Sequence, residues 1–145
     1  MAITTAMCNS FKRELLGGTH DLDSNTIKLA LIKASPSGTY NKATTNYTDV
    51  TGNSDEASGT GYSAGGNSLS GATIGLSTDT ATLTFTNETF SNVTVSTDGC
   101  IIYNSSQGNK AIAVIDFGGT VSATAGDLTI EFPTADASNA IVRIA

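Results

Sequence analysis

The feature that most constrains this chain is the run of turn signals through its second half. Ser91-Asn92, Asp98-Gly99, Gln107-Gly108-Asn109, Gly118-Gly119, Ala125-Gly126-Asp127 and Pro133 recur too closely for helices to fit between them. The intervals are short and rich in β-branched and aromatic residues, so each reads as a strand: 81–86, 92–96, 99–104, 110–117, 127–132 and 140–144. Ala81, Leu83 and Phe85 alternate inward in the first, and Val93 with Val95 in the second. Residues 111–117 are apolar on both sides, which predicts a central strand. Several short strands at such spacing predict a mainly β fold, an antiparallel β-sandwich of jelly-roll-like or Ig-like type. The last strand predicts a C-terminal segment tied into a sheet.

The chain before this β core at 72–145 reads differently. Met7, Phe11 and Leu15 recur at i, i+4 and i+8, with Lys12, Arg13 and Glu14 on the opposite side. That spacing predicts one short N-terminal helix over 5–16, capped by Thr4 or Thr5 and stopped by Gly17-Gly18. Next, Ile27, Leu29 and Leu31 alternate with Lys28 and Ala30, the pattern of a half-buried strand. From 35 to 70 the chain is rich in Gly, Ser, Thr and Asn, with isolated Tyr40, Tyr47, Val50, Tyr62 and Leu69. So little apolar surface predicts a long loop or extended arm with one or two short strands that carries contacts, a flexible tether being the alternative. All three parts belong to a single domain, 1–145, since 145 residues is one domain's length.

Charge excludes several classes of function. Lys and Arg number 7 against 13 Asp and Glu, a net charge of −6, and no basic cluster offsets it. Such a surface repels phosphate, so no nucleic-acid partner is expected. No apolar run reaches membrane-spanning length, and the first residues lack the basic and apolar regions of a secretory signal. No membrane association is expected, and assembly in a cytoplasm is.

Chemistry-bearing residues are sparse. The two cysteines, Cys8 and Cys100, match no metal or redox spacing and read as small buried side chains; a bridge between them is the alternative. Asp21, Asp23 and Asn25 open like a calcium loop, but Thr26 stands where glycine is required and Ile32 where a bidentate Glu belongs. Gly59-Thr60-Gly61-Tyr62-Ser63-Ala64-Gly65-Gly66 is followed by no helix-forming segment and no Lys-Ser/Thr pair, so it is a loop with Tyr62 as its anchor. His20 is the only imidazole, and no nucleophile is paired with it in the sequence. No enzyme activity, catalytic residue, cofactor or metal is expected.

The opening Met-Ala-Ile-Thr-Thr-Ala-Met-Cys-Asn-Ser-Phe-Lys-Arg-Glu-Leu-Leu resembles the start of small virion structural proteins of tailed bacteriophages. So do Ile27-Lys28-Leu29-Ala30-Leu31, the 58–66 run Ser-Gly-Thr-Gly-Tyr-Ser-Ala-Gly-Gly, and Ala113-Val114-Ile115-Asp116-Phe117-Gly118-Gly119. Phe132-Pro133-Thr134-Ala135-Asp136 and Ile141-Val142-Arg143-Ile144 complete a likeness that spans nearly the whole chain. It is a likeness of arrangement, with no site motif to carry over. It implies a virion component, and a capsid decoration or cement protein is the specific expectation. The partners would be the major capsid protein and further copies of the chain, as a homotrimer on the capsid surface. Met7, Phe11, Leu15, Tyr40, Tyr47 and Tyr62 are the expected interface residues. A tail or fibre-tip module binding host-surface glycan is the alternative, with Tyr40, Tyr47, Tyr62 and Tyr103 as stacking faces.

Overall fold

Ile27–Lys33 forms the strand its alternation requires, and the molecule is built outward from it. The computed structural model describes residues 2–145. In chain order the strands are β1 (Ala2–Ile3), β2 (Ala6–Met7), β3 (Ile27–Lys33), β4 (Thr39–Tyr40), β5 (Asn67–Ser68), β6 (Thr73–Ser77), β7 (Thr80–Thr84), β8 (Glu88–Asn104), β9 (Lys110–Ile130) and β10 (Val142–Ile144). Helices α1 (Asn9–Leu16) and α2 (Thr48–Gly52) complete the secondary structure, with a 3-10 turn at Ser105–Gln107. The fold is mainly β. An antiparallel sheet in the order β2-β9-β8-β3-β5 forms one layer, and an antiparallel sheet β10-β7-β6 lies beside α1 in the second. A minimal parallel pair, β1 with β4, ties down the start of the chain.

Register explains why the large sheet is apolar on both faces. Leu29 lies opposite Ile102, Ile102 opposite Ala113, and Ala113 opposite Met7, so one row crosses four strands. The alternate positions, Ala30 and Ile101, are equally buried. On one face Asn104 meets His20, whose ring packs 4.9 Å from that of Phe11, and α1 forms the cover. On the other, Tyr103 is covered by Tyr47 and hydrogen-bonds to the Gly65 carbonyl, so the 40–66 segment forms the lid. Leu83 and Val142 of the smaller sheet meet Leu15 and Leu22 beside α1, leaving a cleft of about 90 Å³.

Three sequence expectations need correction. The helix starts at Asn9 rather than at residue 5, because the preceding residues have a better use for their backbone. Ala6 and Met7 pair with Val114 and Ala113, and the Cys8 N–H donates to Ile112 O at 2.9 Å. The Thr5 hydroxyl, expected as a helix cap, instead accepts from the Asp116 N–H. Met7 therefore belongs to a strand and not to the apolar stripe of α1.

The 35–70 segment carries the two short strands expected of it, but it packs against the body and does not extend as an arm. It contains β4, α2 and β5, encloses Tyr40 and Val50, and lies along the large sheet. Backbone bonds from Leu69 to Ile27, Ala57 to Leu31 and Thr94 to Thr60 hold it there. Gly66 makes a close approach: a Cβ built on it would stand 1.8 Å from Leu29 O, and its φ is +71°.

The third correction concerns turns that are not turns. Strands expected at 92–96 and 99–104 are one 17-residue strand, and those at 110–117 and 127–132 are one 21-residue strand. Gly118-Gly119 and Ala125 mark bulges inside β9. Gly99 pairs with Asp116 but Thr97 with Val121, so Phe117–Thr120 bows out while the ladder continues. Conversely, β6 falls where no strand was expected, and Thr78-Asp79 turns it into β7 with Ser77 opposite Thr80. The final strand is tied into a sheet, through Val142 opposite Leu83.

Candidate functional site

The six expected interface residues do not come together on one surface. Phe11 is 0% exposed and Tyr40 1% exposed, so the chain's own core encloses both side chains. Leu15 is half-buried in the cleft beside the smaller sheet, while its neighbour Leu16 is 92% exposed. Met7 lines a groove at the edge of the large sheet. Tyr47 and Tyr62 are half-buried beneath the 40–66 segment. These are corrections to an interface reading of Phe11 and Tyr40. Helical spacing reports which side chains leave water, not what covers them.

The two half-buried tyrosines converge on Glu56. Its carboxylate accepts from the Tyr47 hydroxyl, from the Tyr62 hydroxyl at 2.9 Å and from the Gly65 N–H at 2.6 Å. The Tyr62 oxygen in turn accepts from the Leu31 N–H at 2.9 Å, which fastens the cluster to β3. Burial, and then the neighbouring Glu56 charge, pushes both phenols well above the ordinary tyrosine range. They therefore act as fixed donors. A second clamp lies nearby at Asp55, which is fully enclosed. It accepts from the Tyr40 hydroxyl at 2.6 Å, the Gly38 N–H at 2.7 Å and the Ser37 N–H at 3.0 Å, and it faces Lys33 Nζ at 3.1 Å. Both carboxylates are saturated by donors from their own chain, which makes them supports for the segment.

His20 is similarly engaged. The Asn104 Oδ1 accepts from the Ser106 N–H, which leaves its Nδ2 donating to His20 Nδ1 at 2.9 Å and to Asn25 Oδ1. The opposite ring nitrogen, Nε2, then donates to Glu14 Oε1 at 3.0 Å. Cys8 and Cys100 are buried free thiols; burial raises Cys8 to about 12 and drives Cys100 higher still. Asp21 and Asn25 close a turn, with Asp21 Oδ1 accepting from the Asp23 and Ser24 N–H groups. Among the described residues no His, Cys, Asp and Glu side chains gather in a group able to hold a metal ion, and no helix is long and apolar enough to cross a membrane.

Two exposed apolar surfaces remain. A groove of about 440 Å³ runs along β2 and β9 under the segment before β10, with Met7, Phe117, Val121, Leu128, Phe132 and Ile141 among its walls. The smaller sheet presents Ile74, Leu76 and Ile144. Sequence reasoning missed both. Ile74 and Leu76 flank Gly75 in strand alternation, a signal overshadowed by the loop-like residues before it. The groove depends on two distant segments meeting, which no local pattern encodes. No family model, no curated protein and no solved structure matches this chain.

Proposed function

We propose that this chain is a structural component of a tailed-phage virion, a decoration protein that binds between subunits of the major capsid protein. The observation that carries the proposal is the apolar groove between β9 and the segment before β10. Contiguous exposed apolar surface on a small soluble domain marks a place where another macromolecule binds. The rest of the site chemistry supports binding over turnover: His20, Asp55 and Glu56 are each held by internal partners, and both thiols are buried. A shell component of this kind stabilises an assembled capsid by binding only the assembled state.

Counting copies of the chain against the major capsid protein in purified virions, by quantitative mass spectrometry, tests the role. Near-stoichiometric abundance is the expected result. A few copies per particle would move the chain to the tail, and absence would remove the virion reading. Val121→Asp tests the surface: a charge there should weaken binding to capsids roughly tenfold or more while leaving the circular dichroism spectrum unchanged. The glycan-binding alternative has less support, since Tyr40 and Tyr103 are enclosed and one face of Tyr47 is covered by Tyr103.

A further inference from the structure

We infer that two copies of the chain associate through β6, pairing it with its own counterpart across a two-fold axis at Gly75. This inference goes beyond the virion reading and does not depend on it.

An edge strand presents unpaired N–H and C=O groups, and proteins normally blunt such edges with shortness, charge or bulges. The described edges of this chain follow that rule except at β6. Strands β2 and β5 are two residues long, and β10 is three residues with Arg143 at its centre. The outer edge of β9 beyond β2 is bent by the bulges at Phe117–Thr120 and Ala125. By contrast β6, Thr-Ile-Gly-Leu-Ser, pairs with β7 in unbroken register over five residues and carries neither a charge nor a proline. Its apolar side chains stand in water: Ile74 is 56% exposed and Leu76 74%.

The same face continues inward. Val142, Leu83 and Ile74 form one row across the sheet, and Ile144, Ala81 and Leu76 form the next. The first row is closed at Leu83 and Val142, whereas Ile144, at 52% exposure, and Leu76 leave the second open.

Charge permits a like copy as the occupant, and the self-complementary register selects it. The chain carries a net −6, so copies repel through most of their surface. Within residues 73–84 and β10 the only charged groups are Asp79, in the β6–β7 turn, and Arg143, whose guanidinium donates to Ala137 O. The face is therefore apolar, hydrogen-bond-hungry at its edge and without net charge. It offers nothing to attract a basic or acidic partner, and nothing to repel itself.

Side-chain alternation then fixes the register. With Gly75 opposite Gly75 of the second copy, Ile74 meets Leu76 in both directions, and the two apolar faces join on one side of a six-stranded sheet. A slip of one residue would place the apolar side chains of the two copies on opposite faces. The pairing is isologous, so it closes at two.

Sedimentation equilibrium of the purified chain is expected to show a monomer–dimer equilibrium. Leu76→Lys should weaken that association roughly tenfold or more with no loss of the circular dichroism spectrum. Gly75→Cys should give an intermolecular disulfide at the axis under mild oxidation. A Cβ at that position meets only Thr82 Oγ1, at an ordinary 3.5 Å, so the substitution is tolerated by the fold. A strictly monomeric chain, a trimer, or a dimer indifferent to Leu76→Lys would overturn the inference. A dimer would replace the homotrimer expected of a decoration protein, and capsid abundance is measured separately, so failure of this inference and failure of the virion reading are distinguishable.

Discussion

Tyr47 lies flat on Tyr103, with ring centroids 4.5 Å apart and the planes inclined by 10°. The contact joins the start of the 47–66 stretch to the C-terminal end of β8, across more than fifty residues of chain. Tyr47→Phe keeps the stack and loses the hydroxyl bond to Glu56, a loss of about 1–2 kcal/mol. Tyr47→Ala removes both and should cost about 3–4 kcal/mol. Urea unfolding measures the two values. Hydrogen exchange should show residues 56–66 opening earlier than β3 and β8 in the alanine variant.

Gly66 gives the same segment its second fixed point. An alanine there would drive its Cβ into the Leu29 carbonyl and require a left-handed backbone that a side chain resists. Gly66→Ala should destabilise the chain by on the order of 3 kcal/mol. Gly108→Ala is the control. It too has a positive φ, at +66°, but nothing lies within 4 Å of the added carbon, so only the conformational penalty, about 1 kcal/mol, remains. Thermal denaturation of the two variants separates close approach from backbone strain.

These contacts mark the boundary of what is legible in the sequence. Ile27–Lys33 is legible because its alternation and its burial are the same fact. The 35–70 segment misleads because its ordering comes from polar groups: Asp55 and Glu56 collect donors from Tyr40, Tyr47 and Tyr62, and composition reports only that apolar side chains are few. Gly118-Gly119 misleads for a related reason, since glycine serves a bulge and a turn equally well and only the partner strand decides. For the binding surfaces, Met7 is the single expected interface residue that lines the groove, and the exposure of Ile74 and Leu76 is a tertiary property that no local pattern reports.

The two thiols give a direct test of the core. Cys100 sits between Leu31 and Ile115 in the sheet register, and Cys8 lies at the start of α1. Desolvation opposes the thiolate at both, and the thiolate is the reactive species. A disulfide exchange reagent should therefore label neither cysteine in the native chain at neutral pH and both in denaturant. The same reagent should label Gly75→Cys promptly in its monomeric form, which confirms that access and not reagent strength sets the difference. Rapid labelling of Cys8 in the native protein would show that α1 lifts from the sheet.

Asp55 sets the acid limit of stability. Burial alone would raise its pKa, but donors from Tyr40, Ser37, Gly38 and Lys33 outweigh burial and hold it well below the usual carboxylate range. In the unfolded chain the group takes up its proton near about pH 4, whereas in the folded chain it resists doing so. As pH falls below that value the unfolded state binds more protons than the native state, and stability falls with it. The Asp55 contribution is thus complete above about pH 4 and is lost progressively toward the lower native pKa. Asp55→Asn keeps the shape and removes the charge, leaving Lys33 without its partner and replacing one acceptor oxygen by a donor that faces other donors. The variant should be less stable at neutral pH by on the order of 3 kcal/mol, and its stability should fall less steeply than the parent's between about pH 4 and pH 2. Guanidinium unfolding at a series of pH values gives both numbers, and parallel curves for the two proteins would show that another carboxylate governs acid unfolding.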